Sequence, residues 1–393
     1  MNNFLVNNLS EIRKDFSITK KKIYLNNGSI APMSLSTIKS ITDFLFRYSE
    51  EGPDSVSISS FIENIKSELR LRISHLINCL PEEVIFTQST TEGVNYVANG
   101  MDWKKNDGII LRGGTHEHYA NYLPWLYVSH RKKIKIHELN IDQNGFFDFS
   151  DLESILAKQN RIKLISLSHA LYNNGSIMPI NQVGKIAREN NVLLFVDAAQ
   201  SVGSIKVDVK EMGCDILAFP AFKWICGPLG IGILYCNNRI KDLIRPLFVG
   251  GESATYEKNK LVLNKCPERF QAGYRNYPGI VGMETAARYL LRIGIDNIRS
   301  HHLRLSKLFK QELERIQSIK LHCVENENEK TSIVSFSSNK IDSKLIVDKL
   351  YANGIILAER NIFDKTIVRS SPHFYNSEEE IIQTCNSIKK ILN

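Results

Sequence analysis

Short apolar runs alternate with longer stretches of helical period from about residue 60 to about residue 250. The runs Val84-Ile85-Phe86-Thr87, Gly108-Ile109-Ile110-Leu111, Leu164-Ile165-Ser166-Leu167, Leu193 to Val196 and Gly232-Ile233-Leu234-Tyr235 are apolar almost without interruption. That is how strands buried on both faces read. Between the runs the spacing predicts helices over 57–77, 91–100, 151–158 and 181–190. The alternation predicts an α/β fold with a mostly parallel sheet covered by helices. After Gly279 the character changes: helices are expected over 280–293 and 298–317, then a polar loop at 325–330. Strands near 332–336 and 367–369 alternate with helices at 343–353 and 377–391, the pattern of a smaller α+β domain.

Within this pattern Lys223 is out of place. It sits in the apolar stretch Ile216 to Gly232, flanked by Phe222, Trp224 and the turn Gly227-Pro228. Such an amine is desolvated, which favours its neutral form, and a neutral amine attacks an aldehyde to make a Schiff base. A packed stem with its head in water would account for the same letters. Upstream, the run from Asn191 to Ser201 reads as a buried parallel strand that delivers Asp197 at its C-terminal end, where open α/β sheets bind ligands. A carboxylate beside the pyridine nitrogen of pyridoxal 5'-phosphate (PLP) keeps that nitrogen protonated, so that the ring can accept electrons. Taken alone, Asp197 would serve equally as the cap of the next helix.

Length and composition narrow the class. A chain of 393 residues with 43% apolar positions can build one large core and a smaller one. The formal charge is +8, but Lys and Arg are scattered among acids, and the short runs Lys20-Lys21-Lys22 and Arg131-Lys132-Lys133 read as solvated faces, so no nucleic-acid partner is expected. What remains is a bias toward small anions such as amino-acid carboxylates and phosphate. The seven cysteines are widely spaced with no C-x-x-C pair, which implies reduced thiols and a cytoplasmic protein. Residues 1–22 lack a long apolar core, so neither a signal peptide nor a membrane span is expected.

Two further clusters carry candidate chemistry. At Phe86 to Asn95 a strand breaks into a hydroxyl-rich turn and a helix begins, so backbone N–H groups and the hydroxyls of Thr90 and Thr91 make an anion site. An N-cap with a nearby Glu would use the same letters. The cluster Thr115-His116-Glu117-His118 lacks H-E-x-x-H spacing, and no metal is expected there. No G-x-G-x-x-G follows an early strand, which disfavours a Rossmann dehydrogenase. A non-catalytic member of a PLP fold would be expected to lose Lys223 or Asp197 first.

Taken in order, these pieces resemble the class V aminotransferase-fold PLP enzymes, in the branch of cysteine desulfurases, selenocysteine lyases and isopenicillin N epimerase-like proteins. The resemblance runs nearly end to end, through Tyr24 to Gly28, Ser89 to Gly93, Glu117-His118, Ser168-His169, Val196 to Gln200, Lys223-Trp224, Arg269 to Gly273 and Val368 to Asn376. It implies a fold type I enzyme with a seven-stranded sheet. The divisions it implies are an N-terminal segment 1–22 packing on the small domain, a large PLP-binding domain 23–279 and a small domain 280–393. It implies that Lys223 holds PLP, Asp197 pairs with the ring nitrogen, Gln200 reaches the phenolic oxygen, His118 stacks on the ring, and Thr90 and Thr91 bind the phosphate. Ser168 and His169 complete the expected cofactor contacts. Arg369 would clamp the substrate carboxylate with a bidentate fork, with Arg360 and Asn26 beside it. A homodimer with active sites at the interface is implied as well.

The departures are informative. Where many relatives have Ser-Gly-His before the lysine, this chain has Pro220-Ala221-Phe222, which removes two phosphate donors. Tyr274 or Arg275, supplied across a dimer interface, is the expected replacement. Desulfurases also need a nucleophilic cysteine near the substrate arginine, yet residues 361–368 contain none, and Cys226 reads as a small packed residue. Persulfide-forming desulfuration is therefore disfavoured. The reaction expected first is β-elimination of a sulfur-containing L-amino acid, followed by transamination and then epimerisation; all three use the same Lys, Asp and Arg. The substrate side chain is not readable, because the loops at 26–32, 252–261 and 361–366 carry no recognisable code.

Overall fold

The computed structural model describes residues 4–113 and 116–393. Met1 to Asn3 of the expected N-terminal segment, and Thr115 of the histidine cluster, lie outside the described residues. The centre is a seven-stranded sheet built from β1 (Val84–Thr87), β2 (Gly108–Arg112), β3 (Lys135–Leu139), β4 (Ile162–Ser168), β5 (Leu193–Asp197), β6 (Ile216–Pro220) and β7 (Gly232–Cys236). Their order is β1-β7-β6-β5-β4-β2-β3, with β7 antiparallel to both its neighbours and the other pairs parallel.

Alternation along these strands explains the run-like sequence. Leu194, Val196, Leu217, Phe219, Ile165 and Leu167 enter one core, while Phe195, Ile216, Ala218, Leu164 and Leu234 enter the core on the opposite face. On these inner strands neither face meets water, so both parities must be apolar; only the edge strand β3 carries exposed residues, Lys135 and Glu138. The predicted helices appear as Val56–Ile77, Thr90–Gly100, Phe149–Lys158 and Ile180–Glu189. Two more, Leu35–Glu50 and Tyr119–Lys132, were not anticipated; in the second, Pro124 and a polar start interrupt the apolar period.

The smaller layer is a four-stranded antiparallel sheet in the order Ile319–Leu321, Val334–Ser338, Lys365–Ser370, Ala358–Ile362. Helices Ile295–Glu314, Ser343–Ala352 and Glu378–Leu392 pack around it through Leu305, Phe309, Ile346, Leu350 and Ile388. The expected division after Gly279 falls inside helix Tyr277–Ile293, whose Ile280, Met283, Ala287 and Leu290 belong to the large core. At the other end, Ile23 pairs with Ile355 and packs in the small core. The N-terminal segment joins the large core through Leu5, Ile12 and Phe16, and reaches helix Glu378–Leu392 through the ion pair of Arg13 with Glu380 at 2.8 Å. Among the described residues no helix is long and apolar enough to cross a membrane.

Candidate active site

A cavity of about 250 Å³ opens at the C-terminal ends of β4, β5 and β6, the edge where parallel strands aim their last side chains at a ligand. Ser168 ends β4, Asp197 ends β5 and Pro220 ends β6, and all three line it together with Lys223 from the turn that follows. Asp197 is buried, and its Oδ1 accepts from Ala199 N at 2.8 Å. Burial pushes its carboxyl up to about 6, against the pull of that amide and of Lys223. Burial pushes the Lys223 amine down to about 8, with Asp197 opposing the shift and Arg369 and Arg360 reinforcing it. One cavity thus holds an amine and an acid that burial moves toward each other, the amine down and the acid up, so both lie within reach of neutral pH.

The anion end is built by the helix Thr90–Gly100. Ser89 caps it, its Oγ accepting from Glu92 N at 3.2 Å. The amides of Thr90 and Thr91 are too early in the helix for an intrahelical carbonyl, and both residues line the cavity. Thr90 Oγ1 is buried without a hydrogen-bond partner among the described residues. An orphaned hydroxyl at a helix N-terminus beside a desolvated lysine fits the phosphate of PLP. Pro220 and Phe222 also line this wall, so the two donors missing from the sequence are missing from the cavity.

The opposite wall comes from the small sheet. Arg369 is buried, its Nη1 donating to Tyr172 O at 2.6 Å and its Nη2 to Asn26 Oδ1 at 3.0 Å and Ser29 Oγ at 2.6 Å. Arg360 donates to Glu359 O at 2.6 Å and also to Ser29 Oγ. Among the described residues neither guanidinium has a carboxylate partner, and burial together with Arg360 holds Arg369 well below its ordinary value. Two desolvated cations held by neutral oxygens are a site awaiting an anion. His118 caps helix Tyr119–Lys132, its Nδ1 accepting from Ala120 N at 3.1 Å. Its ring meets Tyr172 edge-on at 4.9 Å. Enclosure and the nearby Lys223, Arg360 and Arg369 push it down to about 4, so it is a neutral ring suited to stacking. Gln200 lines the cavity while its Nε2 donates to Gly28 O at 2.8 Å, which leaves its second N–H without a partner among the described residues.

Several expected residues lie outside this cavity, Tyr274 and Arg275 among them, as groups expected to act across a dimer interface would. His169 follows the period of β4 onto the face of Ile165 and Leu167, away from Ser168, and lines a separate cavity with Met178 and Ile205. Asn26 does not line the Lys223 cavity; it holds Arg369 from behind. Tyr274, 84% exposed, and Arg275, whose guanidinium donates to Phe270 O, lie outside the cavity of their own chain. Sequence reasoning missed Ser29 and Tyr172, which line the cavity and organise the arginines, and the buried pair Arg112–Glu117 at 2.9 Å. Glu117 accepts from Ser168 Oγ and from Asn121 Nδ2 at 3.1 Å, fixing the segment that carries His118. Only the adjacency of Glu117 to His118 hinted at this. Cys226 is buried with its thiol pushed up by burial, and no cysteine lines the cavity among the described residues.

Comparison with known proteins places this geometry in a family. The aminotransferase class-V profile matches residues 23–383. A probable cysteine desulfurase of Pyrococcus abyssi is 31% identical over 387 residues, covering 94% of each chain. The apo structure of a cysteine desulfurase from Thermococcus onnurineus NA1 superposes with a TM-score of 0.90 at 27% identity, covering 98% of each chain. The cystine C–S lyase C-DES, solved with its reaction product cysteine persulfide, superposes at 0.85 with 25% identity over 94% of this chain and 97% of its own. A C-DES mutant carrying glycine covalently linked to the PLP cofactor gives 0.89 at 25% identity, over 96% of this chain and 98% of its own. Matched over nearly its whole length and furnished with the lysine, the carboxylate and the anion cradle that PLP requires, the chain belongs to the aminotransferase class-V family of PLP-dependent enzymes.

Proposed function

We propose that this enzyme is a C–S lyase: it cleaves the β-carbon–sulfur bond of an L-cysteine derivative and carries no persulfide on the protein. The observation that carries the reading is a cavity with a complete lysine, aspartate and arginine set and no cysteine among its described lining residues. A thiolate acceptor would have to stand at the substrate sulfur. The likeness to C-DES supports the same direction.

PLP, when bound, supplies the electron sink for charge that develops at the substrate α-carbon. The residues do the rest. Arg369 holds the α-carboxylate, with Arg360 beside it, and thereby presents the α-hydrogen toward Lys223. Lys223, depressed toward neutrality, takes that proton as general base. With PLP bound, Asp197 would pair with the ring nitrogen, Thr90 and Thr91 would hold the phosphate, and Ser168 and His118 would enclose the ring and help exclude water. The sulfur leaves with the C–S electron pair and picks up a proton. In sum, a thioether or disulfide substrate and one water give a thiol or persulfide, pyruvate and ammonia.

The reading extends to a homodimer and to a cytoplasmic setting. The hairpin Ala254–Glu257/Lys260–Leu263 exposes Tyr256, Leu261 and Val262, and Tyr274 and Phe248 are exposed as well. This much outward apolar surface supports a second copy as its cover, with Tyr274 reaching the partner's phosphate site, since Arg275 is already bonded to Phe270 O. The seven cysteines are all unpaired, which supports a reducing compartment.

The test is product analysis in deuterated water with PLP-loaded protein and L-cystine, L-cysteine or S-substituted cysteines, each with and without a keto-acid acceptor. Pyruvate and a released thiol or persulfide without acceptor are expected. Alanine with protein-bound persulfide would assign a desulfurase, acceptor-dependent keto acid an aminotransferase, and deuterated but intact substrate an epimerase.

A further inference from the structure

Trp224, the residue after Lys223, is fully buried and has both its indole N–H and its carbonyl engaged. Its Nε1 donates to Gln200 Oε1 at 2.8 Å, and its carbonyl accepts from His373 Nε2 at 2.9 Å. Gln200 passes the connection to Gly28 O at 2.8 Å, and Gly28 N donates to Ser371 Oγ at 2.9 Å. Ser371 leads through Pro372 back to His373. The bonds close a ring. On one side it holds the neighbour of Lys223, and on the other the segment that leaves Arg369.

His373 Nδ1 accepts from Phe374 N at 2.9 Å, so its proton sits on Nε2, facing Trp224 O. His302 Nε2 pairs with the same Nδ1 at 3.1 Å, and His302 Nδ1 pairs with Ser204 Oγ at 3.3 Å. Both imidazoles are fully buried, and burial pushes His373 down to about 3, so the ring is neutral. A neutral, satisfied network in a low-dielectric interior is stiff. The reaction uses none of these histidines.

We propose that His373, oriented by His302, is a positioning residue that sets Lys223 against Arg369. Lys223 stands on a turn of the large domain and Arg369 on a strand of the small sheet, and His373 is where the two are tied. The inference rests on the roles given above to Lys223 and Arg369.

The test uses holoenzyme without substrate and follows the pH midpoint of the visible absorbance of bound PLP, which reports on the Lys223 linkage and the charges around it. His373→Leu is expected to move the midpoint by about half a pH unit or more, while PLP retention stays within about threefold because the Thr90–Thr91 cradle is untouched. His373→Gln, which keeps a donor toward Trp224 O, should restore most of the shift. Trp224→Phe removes the donor to Gln200 and should shift the midpoint too; it decides the matter if His373→Leu does not fold. A folded His373→Leu or Trp224→Phe with the wild-type midpoint overturns the proposal, as does His373→Gln shifted as far as His373→Leu. Failure of the lyase reading would appear separately, as wild-type enzyme that releases no pyruvate.

Discussion

Lys223 and Asp197 are driven in opposite directions by the same cause, loss of water. For the amine, the neutral form gains as pH passes about 8. For the acid, the folded value of about 6 lies above the ordinary 3.8, so the folded state binds this proton more tightly than the unfolded chain. That contribution to stability is fully present below pH 3.8 and is lost as pH rises through about 6. Asp197→Asn is therefore expected to stabilise the PLP-free protein by up to about 3 kcal/mol at pH 8 and by almost nothing near pH 4, while lowering activity of the loaded enzyme at least a hundredfold. Chemical denaturation at the two pH values checks it; a gain of equal size at both would mean that packing, not the buried carboxylate, is responsible. Lys223 and Asp197 were legible in the sequence because a charge inside an apolar run is conspicuous. Ser29 and Tyr172 were not, because a serine or tyrosine in a loop is unremarkable until the arginines fold onto it.

At the scale of elements, the cavity depends on how strand ends and helix starts are stapled. Arg112 at the end of β2 and Glu117 just before the helix Tyr119–Lys132 are both inaccessible to water, and Glu117 also receives Ser168 at the end of β4. Removing one charge leaves the other buried and unpaired. Glu117→Gln is expected to destabilise the fold by about 3–5 kcal/mol, and Arg112→Met in the same chain to recover a large part of it. Urea unfolding of the single and double variants measures this; additive losses would show that the pair is not coupled. Strand parity was legible as runs, since both faces of the sheet are buried. Which residue beyond a strand's end turns into the cavity was not: Ser168 and His169 are neighbours in sequence, yet the period of two sends them to opposite faces.

At the scale of the molecule, the cavity of one chain lacks phosphate donors where Pro220 and Phe222 stand, and an exposed tyrosine lies elsewhere on the same chain. Tyr274→Ala is expected to weaken PLP retention about tenfold or more while leaving the monomer's unfolding midpoint unchanged, since the side chain is exposed. Equilibrium dialysis with light scattering checks both the affinity and the dimer; an active monomer that keeps PLP would remove the interface from the account. The sequence by itself determined the alternation of strands and helices, the buried lysine and the carboxylate at a strand end, because these depend on local period and on the chemistry of single side chains. It set the start of the small domain at residue 280, a position inside helix Tyr277–Ile293, which changes composition there without changing core. The tertiary structure alone decided that Arg369 and Lys223 line one cavity, that His169 lines another, and that His373 meets the Trp224 carbonyl. Those relations join residues far apart along the chain, and only packing brings them within reach of a hydrogen bond.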